Sequence, residues 1–226
     1  MHPYGTDSNE RIYFLAGIIP LSIWAAQLTG WFLKMRQWGW PGEADFLFDP
    51  TSAVTFYALF YSAFNHWLWR WSLFRHLRIV TIPDLNGQWQ GEMCSSFHNF
   101  EQKVPFIATI EQTWSKMVVR VKTGQSGSHS ETASFILDAG TGPTLSYTYL
   151  NRPKASEDPR LEMHQGTCVL VLKQSGGMAR LEGEYYSSRG RANHGDLWME
   201  RISLDEDCQL KERVRGDGGD SMPLSS

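Results

Sequence analysis

Ile12-Tyr13-Phe14-Leu15-Ala16-Gly17-Ile18-Ile19-Pro20-Leu21-Ser22-Ile23-Trp24-Ala25-Ala26-Gln27-Leu28-Thr29-Gly30-Trp31-Phe32-Leu33 is a run of 22 residues without a charge, bracketed by Arg11 and Lys34. As a helix it is about 30 Å long, the thickness of a bilayer's hydrocarbon core. A signal peptide would have basic residues first, a shorter apolar core and small residues at a cleavage site. Here Asp7 and Glu10 precede the run and Trp31-Phe32 end it, so a transmembrane helix over 12–33 is predicted.

A second run, 52–69, has 18 residues without Asp, Glu, Lys or Arg. Trp38 and Trp40 before it, and Trp67, Trp69 and Trp71 at its end, stand where an interfacial aromatic belt belongs. The short connection 34–51 makes the two spans a hairpin. Arg11, Arg70, Arg75 and Arg78 flank the outer ends, against Lys34 and Arg36 in the loop. The positive-inside bias then puts both termini in the cytoplasm. Gln27 and Asn65 are the polar residues expected to hydrogen-bond between helices, including between protomers. His66 sits near the interface with the same bland role.

After Ile82-Pro83-Asp84 the sequence changes character. Stretches rich in Val, Ile, Thr, Tyr and Phe recur about every dozen residues, broken by Gly, Pro, Ser and Asn. Eight strands are predicted: 87–95, 104–113, 116–123, 130–138, 144–149, 163–174, 179–186 and 195–203. Alternation marks half-buried antiparallel strands: Met117, Val119 and Val121 share one face, with Lys116, Arg120 and Lys122 opposite. The fold class read is two N-terminal transmembrane α-helices followed by an all-β, eight-stranded antiparallel up-and-down (lipocalin-like) barrel, with a sandwich as the alternative. The domains are 1–80 in the membrane, 84–205 as a cytosolic ligand-sensing barrel, and a disordered tail over 206–226.

The formal net charge is −3, which gives no global basic field for DNA or RNA. Residues 85–204 hold 12 Lys or Arg and 12 Asp or Glu. An anionic ligand therefore needs a local basic group. The segment joining the last two strands offers one: Tyr185 and Tyr186 for stacking, Arg189 and Arg191 for phosphate, Asn193 and His194 for hydrogen bonds. A solvated hairpin that happens to carry two Arg is the alternative.

No GxSxG, HExxH, Walker loop, GxGxxG or CxxC occurs, and the seven His lack metal-ligand spacing. Cys94, Cys168 and Cys208 are read as thiols rather than a disulfide frame or metal site. No catalytic residues, metal or cofactor are assigned, and a binding and effector role is preferred over an enzyme.

Gly87-x-Trp89, opening the first strand of a small barrel, resembles the lipocalin-like signature. That resemblance implies that Arg201, late in the last strand, packs on Trp89. A membrane-anchored lipocalin-like protein binding a lipid or small molecule is the alternative function it suggests. The order of parts says more. Two spans, a basic juxtamembrane stretch, Asp84-Leu85-Asn86-Gly87-Gln88-Trp89-Gln90-Gly91, and a β-rich domain ending in Arg191-Ala192-Asn193-His194-Gly195-Asp196-Leu197-Trp198-Met199-Glu200-Arg201 resemble the two-transmembrane β-barrel (SMODS-associating 2TM β-strand-rich) effectors of bacterial CBASS anti-phage systems. The resemblance covers about residues 10–204. It implies that the cytosolic barrel binds a cyclic nucleotide, here a cyclic dinucleotide, made by a cognate nucleotidyltransferase. It further implies homo-oligomerisation in the inner membrane, loss of membrane integrity and abortive infection.

Overall fold

A computed structural model describes residues 1–38, 50–154, 163–175, 178–188 and 193–202. The chain divides into two units. One holds residues 1–5, 85–112 and 117–226, the other 6–84 and 113–116.

The helical unit contains α1 (Glu10–Trp38), α2 (Pro50–His66) and the short α3 (Ser72–His76). Over Glu10–Leu33, α1 is long and apolar enough to cross a membrane. Its exposed side chains include Ile12, Tyr13, Trp24 and Phe32, a surface suited to lipid rather than water. The sequence reading of two spans is met in part. With 17 residues, α2 falls short of the 52–69 span, because a 3-10 turn at Leu68–Arg70 ends the helical run. Trp67 and Trp71 are exposed, but Trp69 is fully buried and does not stand in a belt.

An aromatic cluster organises this unit: Phe14 stacks on Phe64 at 3.7 Å, and Trp114 meets both edge-on at 4.9 Å. The Asn65 Oδ1 accepts from the Ser115 amide at 3.0 Å and its hydroxyl at 2.8 Å. Asn65 thus serves the Trp114–Ser115 turn, a different contact from the helix–helix bond expected of it. His66 Nδ1 lies 2.9 Å from the Ser62 carbonyl. Gln27 is half-buried on α1.

In the other unit, the eight sequence-predicted strands are present as β2 (Gly87–Ser95), β3 (Lys103–Gln112), β4 (Lys116–Lys122), β5 (Ser126–Ile136), β6 (Thr144–Pro153), β7 (His164–Ser175), β8 (Met178–Ser187) and β9 (His194–Arg201). Each pairs antiparallel with the next, and β2 pairs with β9 to close the barrel. Closure rules out the sandwich. Among the described residues the barrel has nine strands, because β1 (His2–Thr6) is inserted between β4 and β5. Those two strands pair directly only at Arg120↔His129, Val121↔Ser128 and Lys122↔Gly127. A bulge follows between Ser130 and Thr132. Tyr4 of β1 is buried and packs edge-on against Phe135 at 5.5 Å.

One end of the barrel is plugged. Trp89, Ile110, Leu145, Leu170 and Leu181 are fully buried there. The Trp89 indole N–H donates to the Leu85 carbonyl at 3.0 Å, and the Arg201 guanidinium lies 5.0 Å from the ring centre. Gly87, with φ of +131°, takes a conformation that L side chains rarely adopt and sets the chain's entry into β2. Leu85 is tied down by its own amide, which donates to the Gln112 Oε1 at 2.9 Å.

Candidate functional site

The inward-facing residues of each strand change along the barrel axis. On β6 they run Leu145, Tyr147, Tyr149, Asn151 from the plugged end outwards. On β2 they run Trp89, Gly91, Met93, Ser95; on β8, Leu181, Gly183, Tyr185, Ser187. The interior therefore passes from aliphatic plug to aromatic wall to polar rim. That gradient encloses a cavity of about 180 Å³ opening at the mouth.

The floor is Met93, Val121, Cys168, Leu197 and Met199; Phe97, Phe106, Tyr147, Tyr149 and Tyr185 supply ring faces and edges. Ser95, His98, Ser128, Asn151, His164 and Asn193 bring hydrogen-bonding groups to the rim. No Asp, Glu, Lys or Arg lines the cavity among the described residues.

Glycine placement keeps the tyrosines inside. Gly195 faces Tyr185 across β8 and β9, and a Cβ there would lie 2.7 Å from Tyr185 Cε1. Gly166 faces Tyr149, whose hydroxyl fills the space a Cβ would need. Any other residue at either position collides with a ring, and at Gly195 it also meets the Cys94 backbone carbonyl.

The rim turns are fixed locally. The Ser95 hydroxyl accepts from the Phe97 amide at 3.2 Å, and the left-handed residues Asn99 and Phe100 return the chain to β3. The Ser187 amide donates to the Asn193 carbonyl at 2.7 Å. Tyr147 and Cys168 are cross-strand partners on the inner face. Burial pushes the Cys168 thiol up to about 12, a hydrogen bond with Tyr147 offsetting part of the rise. Burial, with Cys168 beside it, also raises Tyr147. Both groups are neutral at physiological pH, so the wall is uncharged as well as aromatic.

Of the residues expected from the sequence, Tyr185 and Asn193 line the cavity. Tyr186 and His194 do not, because each follows or precedes an inward-facing position by one residue and side chains alternate along a strand. Tyr186 is exposed, with its hydroxyl donating to Glu184, and the His194 amide donates to the Ser96 hydroxyl at 3.1 Å. Arg189 and Arg191 lie outside the described residues. Gly87, Trp89 and Arg201 belong to the plug and not to the cavity. The sequence reading missed Phe97, His98, Tyr149, Asn151 and His164. For Tyr149 and Asn151 the signal was available in the inward series of β6, which turns from Leu to Tyr to Asn. One hairpin was read for ligand contacts, whereas the rim draws on every strand from β2 to β9.

Residues 80–201, more than half the chain, match the model of the Cap15 cyclic dinucleotide receptor domain. The chain belongs to this family. The match spans β2 to β9 and so includes the whole cavity wall. The chain is 33% identical over 159 residues to CD-NTase-associated protein 15 of Yersinia aleksiciae, covering 69% of this chain and 72% of that protein. It is 25% identical over 188 residues to the protein of the same name from Staphylococcus schleiferi, covering 78% of this chain and 94% of that one. The receptor domain thus accounts for β2 to β9 of the barrel, and the similarity to the two relatives extends over most of the chain. Among the described residues no group of His, Cys, Asp or Glu is placed to hold a metal.

Proposed function

We propose that this protein is the membrane effector of a CBASS anti-phage system and is switched on by a cyclic dinucleotide bound in the barrel mouth. The observation carrying this reading is the coincidence of the cavity with the matched receptor domain. Bases enter the cavity, stacking on Tyr149, Tyr185 and Phe97 and hydrogen-bonding to Asn151 and Asn193. Phosphates stay at the rim beside Ser187 and Asn193, with Arg189 and Arg191, which lie between them in sequence, as their expected partners. No bond is made or broken; the protein binds rather than catalyses.

The helical part is the output. In this reading α1 and α2 form a two-span hairpin in the bacterial inner membrane, with both termini cytoplasmic. Ligand binding favours an assembled state by its differential affinity, and assembly through the helices, with Gln27 as an interprotomer contact, disrupts the membrane and kills the infected cell.

The test is titration of the full chain in detergent with a panel of cyclic di- and trinucleotides, followed by expression with and without the cognate nucleotidyltransferase. One cyclic dinucleotide is expected to bind saturably, and toxicity to need both the enzyme and the helices α1 and α2. Binding of lipids alone, or toxicity from a chain that keeps β1 but has residues 10–80 replaced by a polar linker, would overturn the proposal.

A further inference from the structure

The barrel contains one strand that its own meander does not require. Strands β2 to β9 form a closed succession of antiparallel neighbours, and β1 is wedged into it between β4 and β5. These two are consecutive in sequence, yet they pair at only three positions before parting to admit β1. The wedge is hydrogen-bonded to β4 on one side and β5 on the other, and its side chains add contacts of their own. His2 Nε2 lies 2.7 Å from the Ser130 hydroxyl, Tyr4 is buried against Phe135, and the Gln112 amide donates to the Tyr4 hydroxyl at 3.4 Å. Pro3 has no N–H to give, and Gly5 has low strand propensity.

We infer that β1 is an exchangeable strand, donated from one copy of this chain into the β4–β5 slot of another. Three observations carry this. The slot cannot stay empty, because withdrawing β1 leaves β4 and β5 with unpaired edges and a hole where Tyr4 sat. The occupant is not fixed by any hairpin: more than 100 residues separate β1 from β4 in sequence, and only Asp7, Ser8 and Asn9 lie between β1 and α1. A second copy's β1 carries the same side chains and makes the same contacts, so the choice between own and foreign strand is set by effective concentration. Each copy gives one strand and accepts one. Reciprocal exchange between two copies closes a dimer, whereas head-to-tail donation is a heterologous contact that propagates into rings or filaments. Confinement in a membrane raises the effective concentration of the foreign strand. The trigger rests on the ligand-driven assembly proposed above; the slot and its occupant rest on the barrel alone.

The register supplies a direct assay. A Cβ built at Gly5 lies 3.6 Å from the Ser134 Cβ, inside the range of disulfide-bonded cysteines. Both positions face away from Tyr4 and Phe135, so a bridge there leaves the barrel interior alone. Full-length chains carrying Gly5→Cys alone and Ser134→Cys alone, with Cys94→Ser and Cys208→Ser in both, are given different tags. They are mixed in detergent and in vesicles, with and without cyclic dinucleotide, and oxidised. Neither chain can form the 5–134 bond within itself, so a covalent pair joined at 5–134, identified by peptide mass, reports strand donation. Dilute protein is expected to give a few per cent of the pair, and assembled protein at least ten-fold more. The double variant Gly5→Cys/Ser134→Cys, oxidised while dilute, locks its own strand and should lose assembly, which reductant restores.

Assembly without the 5–134 pair, or a locked variant that assembles as well as the reduced one, overturns strand exchange and leaves ligand gating intact. The pair formed on concentration alone, with no nucleotide bound, supports exchange and removes the ligand trigger. No pair under any condition overturns the inference outright.

Discussion

The plugged end and the open end of the barrel should be separable by one substitution. Trp89→Phe removes the indole N–H that donates to the Leu85 carbonyl at 3.0 Å, and Leu85 is itself buried. The lost bond is worth about 1 kcal/mol, and the carbonyl left unpaired in a dry site costs about 1–3 kcal/mol more. The smaller ring holds the Arg201 guanidinium less well than the indole now 5.0 Å away, a further loss of about 0.5 kcal/mol. The total is roughly 3 kcal/mol, or about 12 °C in Tm for a domain of this size. Trp89 stands four residues from Met93, the deepest cavity residue on β2, about 13 Å along the strand. Cyclic dinucleotide affinity, measured by calorimetry on the full chain well below the transition, should therefore stay within two-fold of the parent. A Tm loss under about 3 °C would refute the plug, and a ten-fold loss of affinity by folded protein would refute its separation from the cavity.

Tyr149→Ala deletes a ring from the cavity wall. It should weaken cyclic dinucleotide binding by roughly 5- to 150-fold, the worth of one base–aromatic stack, as read by titration calorimetry. Arg189→Ala with Arg191→Ala should weaken binding at least as much and flatten its salt dependence; an unchanged affinity would remove phosphate from that connection. The Cys168 thiol, pushed up to about 12, should resist iodoacetamide at pH 8 in the folded chain and react once it is unfolded. Because its folded value lies above its unfolded one, the unfolded chain loses its proton first. Stability should then fall by about 1.4 kcal/mol per pH unit from about pH 9 towards 12, and Cys168→Ala should flatten that slope in urea melts.

Period-two alternation between turn residues made β2 to β9 legible, because an antiparallel strand with one wet face carries that pattern in its own sequence. β1 was not legible. His2-Pro3-Tyr4-Gly5-Thr6 has one large apolar residue, a proline and a glycine, and it is a strand only because β4 and β5 supply its partners from more than 100 residues away. The end of α2 failed for a related reason. Trp67 to Trp69 are apolar enough to end the span at 69, but backbone bonds from Arg70 to the Trp67 carbonyl and from Trp71 to the Leu68 carbonyl close a 3-10 turn. That buries Trp69, and composition is blind to it. For the site, Tyr185 and Asn193 were reachable from one loop, whereas His164 needed the register that sets β6 beside β7, where it faces Asn151.

The uncharged wall constrains how a dianionic ligand lies in the barrel. Tyr147 and Cys168 stay neutral, and no Asp, Glu, Lys or Arg lines the cavity among the described residues. A phosphodiester pushed to the floor, against Met93 and Met199, would shed its water without meeting a counter-charge, a penalty of several kcal/mol. Bases carry no such penalty, since each offers a flat face to the tyrosines and edge groups to Asn151 and Asn193. The proposed orientation, bases inwards and phosphates at the rim, is thus the one the polarity gradient favours. It also divides the labour of recognition: the cavity distinguishes one base from another, and the rim distinguishes a phosphodiester from a neutral ligand.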